Sequence, residues 1–300
     1  MGTPERLAKV ERDLESGVVA RRQVANPMPA ILLDRDGTVN VEVGRITRPD
    51  DLALIPGIGA AINLAHAGGY LVGIVTNQPV IARGDVTFAQ LDAIHGRMEM
   101  LLAESRAFVD GIYVCPHHPD RGFPGEVADL KGPCDCRKPG TGLVEQAAAE
   151  LDLDISRSWL VGDTTSDVEC ARAAGLFSVL IGTGHAGADG RFRTAAALRF
   201  PDAPAAIEFI VGRFPALWGK LTAAAASATP GTRIVIKAVA ADDAANTARL
   251  VVEAVRRRGL PVRLVGEASD TDRGCVDVVV DVDTTVGPDH LITVNPPAAS

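Results

Sequence analysis

Short apolar runs alternate with helix-period patterns through the first two thirds of the chain. Ala30 to Leu33 is a continuous apolar run of strand length. Leu71 to Val75, Gly111 to Val114, Trp159 to Val161 and Leu176 to Ile181 repeat that pattern. Between them, Gly57 to Ala67, Phe88 to Glu104, residues 142–151 and residues 166–174 carry apolar positions at helical spacing. Strands that are apolar at every position are buried on both faces. Strands alternating with helices therefore predict an α/β fold, a Rossmann-like parallel sheet with helices on both faces.

In such sheets ligands bind beyond the carboxyl ends of the strands. The polar residues that leave these strands are Asp34 and Asp36, Thr76 and Asn77, Cys115 to His118, and Gly162 with Asp163. Four separate segments thus bring chemistry to one rim of one sheet.

Residues 1–27 read as a polar helical arm, and 28–219 as the main domain. Residues 220–231 are rich in small side chains and read as a linker. Residues 232–300 read as a small α/β unit. In that unit Arg233 to Val239, Val262 to Val265, Val276 to Val282 and Leu291 to Val294 are strand-like, and Asp243 to Arg258 is helix-like. Asp277, Asp281 and Asp283 alternate along one run and share a face. They suit either a second metal or sugar site or a solvated strand face, and exposed carboxylates make the second the simpler reading.

Composition adds limits. The 300 residues carry a net charge of −8, with 47% hydrophobic and 23% charged residues. An acidic chain argues against nucleic acid as a partner but leaves room for a small phosphorylated ligand held by local positive charge. No apolar run is long enough to span a bilayer, and the charged N-terminus lacks the apolar core of a secretion signal. A cytoplasmic protein with no membrane partner is the expectation.

The densest chemistry is Asp34-Arg35-Asp36-Gly37-Thr38. Two carboxylates at i and i+2 leave a strand end, and Gly37 permits a tight turn. Phosphoryl transfer needs a nucleophile, a proton donor for the leaving oxygen and a cation. Asp34 suits the first role and also offers a hard ligand to Mg²⁺; Asp36 suits the second. By itself the string is also an ordinary Asp/Gly turn.

Cys115-Pro-His117-His118 is followed by Cys134-Asp-Cys136. Thiolates and imidazole at this spacing suit a closed tetrahedral Zn²⁺ site of structural type, formed by Cys115, His117, Cys134 and Cys136. His118 is the competing ligand. The loop between, residues 119–133, is rich in Gly, Pro and charge; it has little to pack with, so a metal clip would order it. Cys170 and Cys275 read as small buried apolar residues.

The Asp34-Arg-Asp-Gly-Thr segment resembles the first motif of the haloacid dehalogenase-like phosphatases. Thr76 in Val75-Thr-Asn-Gln matches their second, Lys138 their third and Gly162-Asp163 their fourth. The resemblance implies that Thr76 holds phosphoryl oxygens and that Lys138 neutralises the phosphate. It implies that Asp34, Asp36 and Asp163 hold Mg²⁺, with Asp167 in an outer role. The cysteine loop, with Ile81-Ala-Arg83-Gly84, narrows the resemblance to the bacterial heptose-bisphosphate phosphatases over roughly residues 28–190. That implies a compact enzyme without a large cap. It also implies a small phosphorylated sugar as substrate, with Asn77, Arg83 and Arg137 as candidate binding residues. Histidinol-phosphate phosphatases share these motifs and are the nearest alternative. A phosphate-ester-binding regulator without catalysis is the alternative of another class. The pair Pro79-Val80 and Thr164 depart from the family pattern, and the segment after about residue 220 lies outside it.

Overall fold

Every position of the strand Ala30–Leu33 (β1) is buried, as an all-apolar run requires. Its side chains go alternately to two cores. Ile31 and Leu33 join the larger one, and Ala30 and Leu32 the other. The computed structural model describes residues 27–219, 233–238, 250, 253, 263–270 and 275–281. The expected arm, the linker, Asp283 and the run Leu291 to Val294 lie outside them.

Chain order after β1 is helix Ile58–Ala67 (α1), strand Leu71–Asn77 (β2), helix Phe88–Glu104 (α2) and strand Gly111–Cys115 (β3). Helix Gly142–Leu151 (α3), strand Trp159–Gly162 (β4), helix Thr165–Ala174 (α4) and strand Phe177–Ile181 (β5) follow. Strand Leu198–Phe200 (β6) and helix Ala203–Glu208 (α5) complete the first sheet's unit. The sheet runs β3-β2-β1-β4-β5-β6, with every pair parallel. The expected elements are thus present, most within one or two residues of their expected ends.

The two faces are covered differently. α1 and α2 pack Ile58, Ile62, Ile94 and Met98 into the larger core with Trp159 and Phe177. Leu143, Val144 and Ala147 of α3 and Cys170 and Ala171 of α4 fill the other. Cys170 is fully buried, as expected.

β6 and α5 had no clear pattern. β6 is three residues long with an exposed central Arg199, so it carries no continuous apolar run. Asp202 caps α5 by accepting a hydrogen bond from Ala205 N at 2.8 Å, and Pro204 sits in its first turn. Helical backbone continues through residue 219 and lays Phe214 edge-on to Trp159 and Phe177.

The second sheet has strands Arg233–Ala238 (β7), Arg263–Asp270 (β8) and Cys275–Asp281 (β9), in the order β7-β9-β8 and antiparallel. Register puts Asp281 opposite both Arg233 and Arg263, and Asp277 opposite Lys237. Leu250 and Glu253 are helical, within the expected helix. No helix among the described residues is long and apolar enough to cross a membrane.

Candidate active site

β1 lies at the middle of the sheet, so the residues that follow it sit between the ends of β2 and β4. Asp34 N–H donates to the Val161 carbonyl at 2.9 Å, which keeps Asp34 in line with the sheet at its carboxyl edge. The carboxylates of Asp34, Asp163 and Asp167 converge there, with one oxygen of each within 4.8 Å of the others. Lys138 Nζ lies 2.8 Å from Asp34 Oδ1 and 2.5 Å from Asp167 Oδ1. All four side chains are buried.

Burial dictates the electrostatics. It pushes the Asp34 carboxyl up to about 7; the Lys138 ammonium opposes the rise, and Asp167 and Asp163 add to it. Burial likewise takes Asp163 to about 7, against a hydrogen bond from the His185 N–H. Burial alone would lower Lys138, but Asp167 and Asp34 hold it above the ordinary lysine value. One ammonium against three carboxylates leaves an excess of buried negative charge. Asp163 Oδ2 accepts from His185 N at 2.7 Å, while its Oδ1 is buried with no hydrogen-bond partner. A hard divalent cation fits this set of oxygens.

Two glycines make the approach possible. A Cβ on Gly37 would come within 2.6 Å of Asp163 Oδ2, and Gly37 has a φ of +77°. A Cβ on Gly184 would meet the same oxygen. Thr183 Oγ1 donates to the Gly37 carbonyl at 2.6 Å, tying the loop after β5 to the Asp34 turn. Sequence reasoning passed over this loop. Its glycines and His185 follow a strand end, which is the one signal that marks them.

Asp36 is the other residue expected to hold the cation. Its side chain is outside the three-carboxylate group and is turned to Arg35, whose Nη2 lies 2.8 and 2.9 Å from its two oxygens. Asn40 Nδ2 and Gln78 Nε2 also donate to it, at 3.0 and 2.8 Å. Burial would raise the Asp36 carboxyl, but Arg35 and these donors bring it below the usual carboxylate value. Asp167, expected in an outer role, lies beside Asp34 and Asp163, with Lys138 at its Oδ1. Thr164 Oγ1 and N–H both donate to Asp167 Oδ2, at 2.6 and 3.1 Å, so the family-atypical threonine orients this carboxylate while capping α4.

Asn77, expected to bind substrate, is committed to the main chain of Lys138. Its Oδ1 accepts from Lys138 N at 3.0 Å, and its Nδ2 donates to Lys138 O at 3.2 Å. Asn77 thus braces the Lys138 main chain while also lining the cavity described next. Thr76 Oγ1 is buried and accepts from Gln78 Nε2 at 2.9 Å. Gln78 and Arg35 were not singled out from the sequence; only their burial shows that they face inward.

A cavity of ≈ 530 Å³ opens over Asp34 and Lys138, within the usual range for small-molecule sites. Arg83 and Arg137 line it as expected, joined by Arg45 and Arg191.

At the end of β3, Cys115, His117, Cys134 and Cys136 form a second cluster. Sγ atoms are separated by 3.6 Å for Cys115 and Cys134, 2.9 Å for Cys115 and Cys136, and 3.5 Å for Cys134 and Cys136. His117 Nδ1 is 3.2 Å from Cys136 Sγ. Thiolates about 2.3 Å from a shared tetrahedral ion would stand a little under 4 Å apart, so the donor set is suited to Zn²⁺. Burial and neighbouring sulfur raise the Cys115 and Cys136 thiols; only a cation would favour their thiolates. His118 is not in this set. It is buried and bonded to Arg83 Nη2 at 3.0 Å.

The loop 119–133 departs from the expectation that it has little to pack with. Arg83 and Lys131 both lie over the Phe123 ring, at 5.2 and 4.3 Å from its centre, and His118 meets the ring edge-on. A bridge between His118 and Lys131 closes the loop's base. One aromatic in a polar stretch gives no periodic signal, which is why the sequence hid this packing.

Comparison with known proteins agrees with this geometry. Residues 135–207 match the family model described as HAD-hydrolase-like. The D-glycero-D-manno-heptose-1,7-bisphosphate 7-phosphatase of Thermosynechococcus vestitus is 43% identical over 159 residues, covering 53% of this chain and 81% of the relative. The D-glycero-beta-D-manno-heptose-1,7-bisphosphate 7-phosphatase of Escherichia coli K12 is 40% identical over 162 residues, covering 54% and 83%. The crystal structure of D,D-heptose 1,7-bisphosphate phosphatase from B. bronchiseptica, complexed with magnesium and phosphate, superposes with a TM-score of 0.52 at 34% identity. It covers 60% of this chain and 97% of that one. With the carboxylates, the lysine and the cysteine cluster in place, these likenesses assign the chain to the heptose-1,7-bisphosphate 7-phosphatase family of HAD-like hydrolases.

Proposed function

We propose that this protein is a Mg²⁺-dependent phosphatase that removes the 7-phosphate of D-glycero-D-manno-heptose 1,7-bisphosphate. The observation that carries the reading is the buried Asp34, Asp163, Asp167 and Lys138 cluster under a cavity walled by arginines. Family membership supplies the sugar.

Asp34 is the nucleophile. One of its oxygens forms a bond to phosphorus as the bond from phosphorus to the sugar oxygen breaks. Asp36, charged against Arg35 in the free fold, takes a proton from the entering phosphate monoester and passes it to that leaving oxygen. Water then attacks the aspartyl-phosphate, passes a proton to Asp36 and releases inorganic phosphate with Asp34 restored. Lys138 offsets charge on Asp34 and on the phosphoryl oxygens, and the Thr76 hydroxyl, now bonded to Gln78, is available to hold one of them. Asp34, Asp36 and Asp163 would hold Mg²⁺, with Asp167 in an outer role, and the ion would supply positive charge to the transferring phosphoryl group. Arg137 and Arg83 bind the distal phosphate or sugar hydroxyls through guanidinium donors.

Cys115, His117, Cys134 and Cys136 hold a structural Zn²⁺. A cytoplasmic location suits free thiols at Cys115, Cys134, Cys136 and Cys170. Residues 28–219 form the catalytic domain and 232–300 an appended unit.

Phosphate release tests the reading. With Mg²⁺, the wild type should turn over the heptose bisphosphate faster than histidinol phosphate. Asp34→Asn should abolish turnover while zinc content and thermal melting are retained. Near-wild-type turnover by that variant would refute the nucleophile, and faster hydrolysis of histidinol phosphate would refute the substrate. A zinc content far below one ion per chain would remove the structural metal.

A further inference from the structure

His117 of the cysteine and histidine cluster and its neighbour His118 each hold one arginine of the cavity wall. The His117 carbonyl accepts from Arg137 Nη1 at 3.3 Å, and the His118 ring accepts from Arg83 Nη2 at 3.0 Å. A guanidinium has only donors, so His118 Nε2 must be the bare nitrogen. Its Nδ1 then carries the proton, 3.3 Å from the Asp120 carbonyl; the Asp120 N–H, 3.0 Å from the same nitrogen, suits only the other tautomer.

Arg83 is held from a second side by the Phe123 ring, 5.2 Å from its Cζ. The contact between the two segments is close at the main chain as well. Val127 N–H donates to the Ala82 carbonyl at 3.0 Å, and a Cβ on Gly84, at φ +78°, would collide with the Gly125 carbonyl. Phe123 itself is fixed by Lys131, whose ammonium lies 4.3 Å from the ring centre and 3.0 Å from the Asp120 carbonyl. The turn bearing Arg83 is seated on its other side by Val80, Ile81, Val86 and Leu91. Arg83 Nε is buried with no hydrogen-bond partner. The guanidinium is therefore placed rigidly with a donor still unused, in a cavity where Arg137 feels both Arg83 and Arg191.

We infer that Phe123 is a positioning residue that fixes the Arg83 guanidinium for the second anionic group of the substrate, and so sets selectivity for a sugar bisphosphate over a monophosphate. This rests on the phosphatase reading above. The physical ground is preorganisation: a flexible arginine loses side-chain freedom on binding, whereas one clamped between a ring and an imidazole has lost it already. The loop that carries the clamp thereby reads the part of the substrate that does not react.

Steady-state kinetics on heptose 1,7-bisphosphate and on heptose 7-phosphate tests this. Phe123→Leu should raise KM for the bisphosphate about tenfold, the scale of a lost cation–π contact. Its kcat, and both constants for the monophosphate, should stay within about twofold. Phe123→Tyr, which keeps the ring, should behave as wild type. Adding Phe123→Leu to Arg83→Gln should cost little beyond Arg83→Gln alone, because both act through one contact. If the Leu variant does not fold, Phe123→Met fills similar volume without a ring and takes its place. Equal losses on both substrates, an unchanged bisphosphate KM, or a Tyr variant as impaired as Leu would overturn the inference while the catalytic reading stands. Absence of phosphate release from both sugars by the wild type would instead overturn the reading itself, and this inference with it.

Discussion

Arg35 Nη2 reaches both carboxylate oxygens of its neighbour Asp36, at 2.8 and 2.9 Å. Arg35 is buried, and its Nη1 lies 3.3 Å from His95 Nε2 on α2. Burial and the guanidinium lower His95 to about 4, so the ring is neutral and accepts from Arg35. The Asp36 carboxylate is thus kept charged and held by a side chain that the helix behind it supports.

Substituting Arg35 tests the pairing. Asp36 is depressed in the fold, so its contribution to stability is present above the unfolded carboxylate value and is lost as pH falls through the folded one. Arg35→Gln removes the main opposing charge and raises Asp36. Its acid-unfolding midpoint should move to higher pH, and stability at neutral pH should fall by about 1–3 kcal/mol, since Asp36 stays partly hydrated. kcat should fall by about 10–100-fold, within the usual worth of acid–base help. Chemical denaturation across pH and initial rates check both; an unmoved midpoint would refute the pairing.

Lys138 stands between Asp34 and Asp167, so Lys138→Met leaves two buried carboxylates facing each other. Without metal, destabilisation should be about 2–4 kcal/mol at pH 8 and smaller at pH 6, where the carboxylates protonate instead. kcat should drop at least about 100-fold. Denaturation at the two pH values would refute this if the cost grew as pH fell.

Magnesium and protons compete for the same oxygens. Asp34 and Asp163 both rise from 3.8 to about 7 in the metal-free fold. The folded state therefore holds protons that the unfolded chain has released, and metal-free stability should decline as pH climbs from about 4 to about 7. Saturating Mg²⁺ should raise Tm by about 5–10 °C at pH 8 and by much less at pH 6. Differential scanning fluorimetry reads this directly, and a pH-independent shift would remove Asp34 and Asp163 from the cation site.

Ending the chain near residue 222 tests the appended unit. The first sheet, its covering helices and every cavity-lining residue lie before that point. Substrate preference and kcat should be kept. Leu250 is fully buried in the larger core, so Tm should fall by a few degrees. Loss of bisphosphate preference on truncation would place the unit in the active site.

The alternation of apolar runs and helical patterns determined the parallel sheet, because a strand buried on both faces has little choice of composition. It also put Asp34, Thr76 and Asp163 on one rim, since each follows a strand whose ends the pattern marks. Cys115, His117, Cys134 and Cys136 were readable for a similar reason: ligand spacing is local. Three things depended on the tertiary structure. The Asp36 carboxylate turns to Arg35 and that of Asp167 to Lys138, because the direction of a carboxylate is decided by which donors surround it. Asn77 holds Lys138 across 61 positions of chain, a pairing no local pattern encodes. Phe123, Arg83 and His118 meet only because two loops dock, and contacts between loops carry no periodicity to read.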